Sequence, residues 1–127
     1  MKPLFNKVDC VLVKVPNLEE ALDFYQNKLG HTLRWKTDTS AAVAMGDSTE
    51  LVLSTNQESQ TDLHVDDAIK AANLFVANGG KIKTGPIEIP VGKVMVVEDP
   101  FGNELILIDL SKGRYQTSAE GDVVSVE

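Results

Sequence analysis

The chain repeats itself at an interval of fifty residues. Residues 15–33, VPNLEEALDFYQNKLGHTL, lie over residues 65–83, VDDAIKAANLFVANGGKIK, without a gap. Val15 falls on Val65, Ala21 on Ala71, Phe24 on Leu74, Tyr25 on Phe75 and Gly30 on Gly80. Self-similarity at such a period marks a fold assembled from copies of one supersecondary unit. Whatever order one half adopts, the other must be able to adopt too.

Each copy carries a helix. Leu18, Ala21, Leu22, Tyr25 and Leu29 recur at the spacing of one helical face. Asn17 is the N-cap, Glu20 stands three residues later as in a capping box, and Gly30 is the stop. In the second copy Asp66 or Asp67 is the cap. Ala68, Ile69, Ala72, Phe75 and Val76 form its buried stripe, and Gly79-Gly80 ends it.

A strand precedes each helix: residues 8–15, mostly apolar and β-branched, and residues 60–65. Three strands follow each helix, near 31–37, 41–45 and 50–54, then near 81–84, 92–97 and 104–109. Gly46-Asp47, Gly85-Pro86, Pro90 and the run from Asp99 to Asn103 supply turns. The order is β-α-β-β-β, twice. The last strands match each other as well: TELVLS at 49–54 lies over NELILI at 103–108, which sets Glu50 against Glu104 and Val52 against Ile106. After Ser111 periodicity fades. That tail reads as a frayed end, with 122–127 open to an edge strand.

The totals narrow the function classes. A chain of 127 residues with 43% apolar and 24% charged residues can bury its own core as one domain, with module 1 at about 8–55, module 2 at about 59–110 and a tail at 111–127. A net charge of −7 argues against nucleic acid and anionic membranes as partners. Cys10 is the only cysteine, so no internal disulfide forms. No stretch resembles a signal peptide or a membrane span, and a cytoplasmic location is expected.

A βαβββ unit repeated within about 130 residues resembles the vicinal oxygen chelate superfamily, the group of glyoxalases, bleomycin-resistance proteins and extradiol dioxygenases. The resemblance rests on the two strand-to-helix passages ending in glycine and on VEDPFGNELILI, which is similar to that family's Asp-Pro-x-Gly-Asn turn and final strand. It implies an α+β fold of two modules, curled mixed sheets forming open cups with the helices outside, and pairing as a homodimer. It also implies a metal held by up to four side chains: a His on the first strand, a Glu on the fourth, a His or Gln on the fifth and a Glu on the eighth.

In this chain those positions hold Cys10, Glu50 or Val52, Gln60 and Ile106, the internal repeat favouring Val52. A thiol, a hydrocarbon, an amide and a second hydrocarbon make a poor set for a divalent ion. No metal or other cofactor is therefore expected. Strand alternation sets Cys10, Leu12 and Lys14, Glu50, Val52 and Ser54, Gln60, Asp62 and His64, and Glu104, Ile106 and Ile108 towards the cups. Trp35 is a candidate to stack on a planar ligand. The expected ligand-binding set is Cys10, Leu12, Trp35, Glu50, Val52, Gln60, Asp62, His64, Glu104 and Ile106, with no catalytic residue assigned.

The function expected on this basis is a metal-free protein resembling the bleomycin-resistance branch. It would confer antibiotic resistance by sequestering a small cationic or aromatic molecule at a dimer interface. The alternative is a glyoxalase-like lyase, isomerase or thiol transferase of the same fold, metal-dependent or using His64 and Asp62 as an acid–base pair. A regulatory module with an occluded cup is a third reading.

Overall fold

A computed structural model describes residues 2–127. The chain divides into two compact units. One comprises residues 10–60 and 115–125; the other comprises residues 61–114 with residues 2–9 and the last two.

In the first unit β1 (Lys7–Lys14) leads into α1 (Leu18–Leu22), followed by β2 (Leu33–Lys36), β3 (Ser40–Ala44) and β4 (Glu50–Ser54), in the spatial order β2-β3-β4-β1. β1 and β4 run parallel, and β2, β3 and β4 are antiparallel neighbours. Asn17 caps α1, its Oδ1 accepting from the Glu20 amide at 2.9 Å. From Asp23 to Lys28 the helix continues with π-type winding. Wider turns rotate the apolar stripe away from its 3.6-residue phase, so Leu29, expected on the buried face, is 54% exposed while Ala21 is buried.

In the second unit β5 (Gln60–His64), α2 (Ala68–Ala77), β6 (Lys81–Ile89), β7 (Gly92–Glu98) and β8 (Glu104–Ile108) take the order β5-β8-β7-β6. Asp67, not Asp66, caps α2, its Oδ1 accepting from the Lys70 amide. The core packs Val65, Ala68, Ala71, Ala72, Met95, Val97 and Leu107, with Leu63, Phe75 and Leu105 against it. The buried stripe of α2 therefore runs along 68, 71, 72 and 75. Ile69 and Val76, assigned to it from sequence, are exposed; the alanines bring the helix close to the strands and leave the larger flanking residues outside.

Two further expectations are corrected. The strand near 81–84 does not stop at Gly85-Pro86 but runs to Ile89, with register shifts on both sides of Thr84. Proline is tolerated because β6 ends the strand order, where its missing N–H costs no ladder bond. The tail is not frayed: β9 (Tyr115–Thr117) and β10 (Val123–Val126) pair as a hairpin. Its turn closes through Ser118 and Gly121, with the Gly121 amide donating to the Ser118 carbonyl at 3.0 Å. Gly121 has φ +89°, and a side chain there would meet Leu33. Among the described residues no helix is long and apolar enough to cross a membrane.

Candidate functional site

Strand register in the first unit builds one continuous row across four strands. Trp35 on β2 faces Ala42 on β3, Ala42 faces Val52 on β4, and Val52 faces Leu12 on β1. The next row holds Ala44, Glu50 and Cys10. Cys10, Leu12, Ala42 and Val52 are buried together, with Trp35 packed against them. Because β3 contributes only the methyl group of Ala42 between Trp35 and Val52, the indole can lie across the sheet. Its Nε1–H donates to Glu50 Oε1 at 3.2 Å. A half-buried carboxylate is thus held by a fixed donor at the edge of an apolar wall.

The C-terminal hairpin completes this wall. The Lys36 amide donates to the Gly121 carbonyl at 2.8 Å, and Lys36 Nζ lies 3.8 Å from Asp122 Oδ1. This seats the hairpin beside β2 and sets the Tyr115 ring 4.9 Å from the Trp35 indole, tilted by 52°. Burial, and secondarily the charge of Glu50, push the Tyr115 phenol above its usual pKa. It stays a neutral phenol in the physiological range.

The equivalent face of the second unit carries the rows Thr84, Val96, Ile106, Asp62 and Ile87, Val94, Ile108, His64. Leu12 facing Val52 and Asp62 facing Ile106 are corresponding rungs of the two copies. Asp62 is buried and His64 half-buried. Glu104 is exposed and lies 3.4 Å from Lys83. Gln60 stands at the start of β5, half-buried. His64 Nδ1 lies 3.0 Å from Asn6 Nδ2, and Asn6 also donates to Asp66 Oδ1 at 2.9 Å. The amide is the donor, so this ring nitrogen accepts and the proton sits on Nε2. Lys2, at 2.7 Å, and Asn6 hold the Asp66 carboxyl below its usual pKa.

Of the residues proposed from sequence, Cys10, Leu12, Trp35, Glu50 and Val52 come together on one face, and Asp62, His64 and Ile106 on another. Ala42 and Tyr115 were missed. Ala42 had a signal, since strand pairing sets it opposite Val52. Tyr115 lies in a segment without periodicity, and nothing local placed it on Trp35.

The metal implied by the resemblance does not fit these residues. Val52 and Ile106 present hydrocarbon where carboxylates are needed, and hydrocarbon cannot replace the water a dication loses. Among the described residues no group of three or more His, Cys, Asp or Glu side chains converges to hold an ion.

Residues 7–107 match the family model of the Glyoxalase/Bleomycin resistance protein/Dioxygenase superfamily. Lactoylglutathione lyases of Neisseria meningitidis, from serogroups A and B, are each 33% identical over 132 residues, spanning 84% of this chain and 96% of theirs. Methylmalonyl-CoA epimerase from Mycobacterium tuberculosis superposes with a TM-score of 0.68 at 15% identity, over 86% of this chain and 91% of that one. The 2,3-dioxygenase LapB of Pseudomonas sp. KL28 gives 0.62 at 17% identity, over 94% of this chain and 46% of that one. These likenesses to solved structures carry the fold alone. The lyases correct the function expected from sequence, a metal-free sequestering protein of the bleomycin-resistance branch. That expectation rested on the poor metal-ligand set and on the acidic groups at the cup positions, and neither distinguishes a sequestering pocket from an enzyme pocket.

Proposed function

The chain belongs to the glyoxalase/bleomycin resistance/dioxygenase superfamily, and from that premise we propose that it is a glyoxalase-type lyase acting on a small thiol adduct. The observation that carries this is the 33% identity to lactoylglutathione lyases along 84% of the chain. The hemithioacetal formed when a thiol adds to a 2-oxoaldehyde and the lactoyl thioester are isomers: one proton moves between two neighbouring carbons, and a second moves from the hydroxyl oxygen of the first carbon to the carbonyl oxygen of the next. In the thioester-forming direction the thiol first adds to the aldehyde. The C–H bond on the hydroxyl carbon then breaks, and a C–H bond forms on the adjacent carbonyl carbon. The electron pair shifts along the carbon–carbon bond, so no oxidant is consumed. What this needs is a base that accepts a proton and returns it one atom further on.

Glu50 is that base in this reading. It is an acceptor oriented by the Trp35 Nε1–H and backed by an apolar wall. His64 is less suited, because the Asn6 amide occupies Nδ1 and leaves the proton on Nε2. No step is routed through a metal, since the donor set does not fit one. The same reading keeps a small molecule as partner, a second copy of the chain as the assembly and the cytoplasm as location.

The test mixes glutathione with methylglyoxal and follows thioester absorbance on adding the protein. Turnover above buffer supports the reading, with Glu50→Gln costing about 10²–10⁴-fold in kcat. No turnover at micromolar protein, with or without added Ni²⁺ or Zn²⁺, overturns it.

A further inference from the structure

Tyr115 lies beyond residues 7–107, the part of the chain that matches the family model. The C-terminal hairpin has no counterpart in the internal repeat, yet it docks where the first unit carries its oriented carboxylate. It is fastened to β2 by the Lys36–Gly121 backbone bond and the Lys36–Asp122 ion pair. It delivers one aromatic side chain, and that ring packs on the indole whose N–H holds Glu50.

We propose that Tyr115 is a positioning residue for Glu50: the hairpin presses its ring on Trp35, and the indole so held keeps its N–H on the carboxylate. The proposal rests on the lyase reading for its consequence in turnover, but its geometry stands independently.

Ala42 is the β3 residue in register with Trp35 and offers the indole only a methyl group, and a single hydrogen bond does not fix two side-chain torsions. The Tyr115 ring supplies the second constraint. Aromatic pairs at this separation and tilt are mutually attractive beyond the area they bury. Three residues from three segments thus share one arrangement: Glu50 on β4, Trp35 on β2 and Tyr115 on β9. The phenol's raised pKa agrees with this, since it reports both its burial and the nearby Glu50 charge.

Trp35 is the only tryptophan in the chain, so fluorescence excited selectively at tryptophan and the indole band in near-ultraviolet circular dichroism report this site alone. Tyr115→Phe keeps the ring and is expected to preserve both signals. Tyr115→Leu is expected to abolish the indole dichroism, shift emission to the red and lower kcat about tenfold, with KM little changed. Trp35→Phe removes the N–H and is expected to reproduce that kcat loss. Adding Tyr115→Leu to it should cost little more, because a residue acting through Trp35 has nothing left to position.

Additive losses in the double variant, or an indole signal untouched by Tyr115→Leu, overturn the proposal. If Tyr115→Leu fails to fold by far-ultraviolet dichroism, hydrogen exchange at Lys36 and Trp35 in Tyr115→Phe and wild type decides. Equal protection supports the ring as the anchor, and loss of protection in Tyr115→Phe overturns it. If the wild type shows no turnover while the spectra behave as described, the lyase reading fails and the positioning of Glu50 stands.

Discussion

Replacing Asp109 by alanine should be among the most damaging single changes outside the candidate site. The residue is 2% exposed. One carboxylate oxygen accepts from the Ala68 amide at 2.8 Å, at the first residue of α2. The other accepts from the Lys93 amide at 3.0 Å, the Ser111 amide at 3.2 Å and the Ser111 hydroxyl at 2.7 Å. One side chain therefore ties the start of a helix to β7 and to the chain leaving β8. Alanine leaves three backbone N–H groups without their acceptor, each costing about 1–3 kcal/mol where water cannot reach, and it removes a negative charge from a helix N-terminus, worth about 0.3–1 kcal/mol. Allowing for partial hydration, the loss is about 3–4 kcal/mol, a large share of the roughly 5–15 kcal/mol a domain has. Burial alone would raise the Asp109 pKa, but the hydrogen bonds from Ala68, Ser111 and Lys93 outweigh it and hold the carboxyl below its usual range. A lowered folded-state pKa stabilises above the unfolded carboxylate pKa, and that stabilisation disappears as pH falls through the folded value. Urea unfolding at neutral pH and at successively acidic pH checks both points. Asp109→Ala should lower the midpoint without changing the slope and should lose stability less steeply on acidification than wild type. A midpoint shift worth under about 0.5 kcal/mol at neutral pH would refute the reasoning, since surface substitutions already reach that size.

Other changes follow from the same geometry. Gly92→Ala should destabilise markedly by thermal melting, because a Cβ there would collide with the Asp109 backbone carbonyl and carboxylate. Leu107→Ala, at a fully buried position between Leu63 and Met95 in register, should cost about 2–5 kcal/mol in denaturant unfolding. Dialysis against EDTA should leave the melting temperature and turnover unchanged; a large loss restored by one divalent ion would contradict the reading of Val52 and Ile106 as hydrocarbon at the ligand positions.

The duplicated order was legible because hydrophobic period and turn residues are local. Asn17 and Asp67 cap their helices through their own side chains. Asp99 folds the DPFGN turn on itself, accepting from the amides of Phe101 and Asn103 at 2.8 and 2.9 Å. The offset of fifty-four residues set Val52 against Ile106, and the structure places these two at equivalent rungs, Val52 beside Leu12 and Ile106 beside Asp62. Strand alternation likewise separated the residues under α2, such as Leu63 and Leu107, from those on the opposite face.

What the chain alone determined, then, is the order of its two βαβββ copies, the Asn17 cap and which residues alternate to which side, since each follows from neighbours a few positions apart. Only the tertiary structure decided that an alanine on β3 would let Trp35 reach Glu50, that an aperiodic tail would return as a hairpin to set Tyr115 on that indole, and that Asp109 would cap a helix forty-one residues away. Those arrangements depend on close packing and on the demand of buried polar groups for partners. Both act between segments that carry no trace of one another in their sequences.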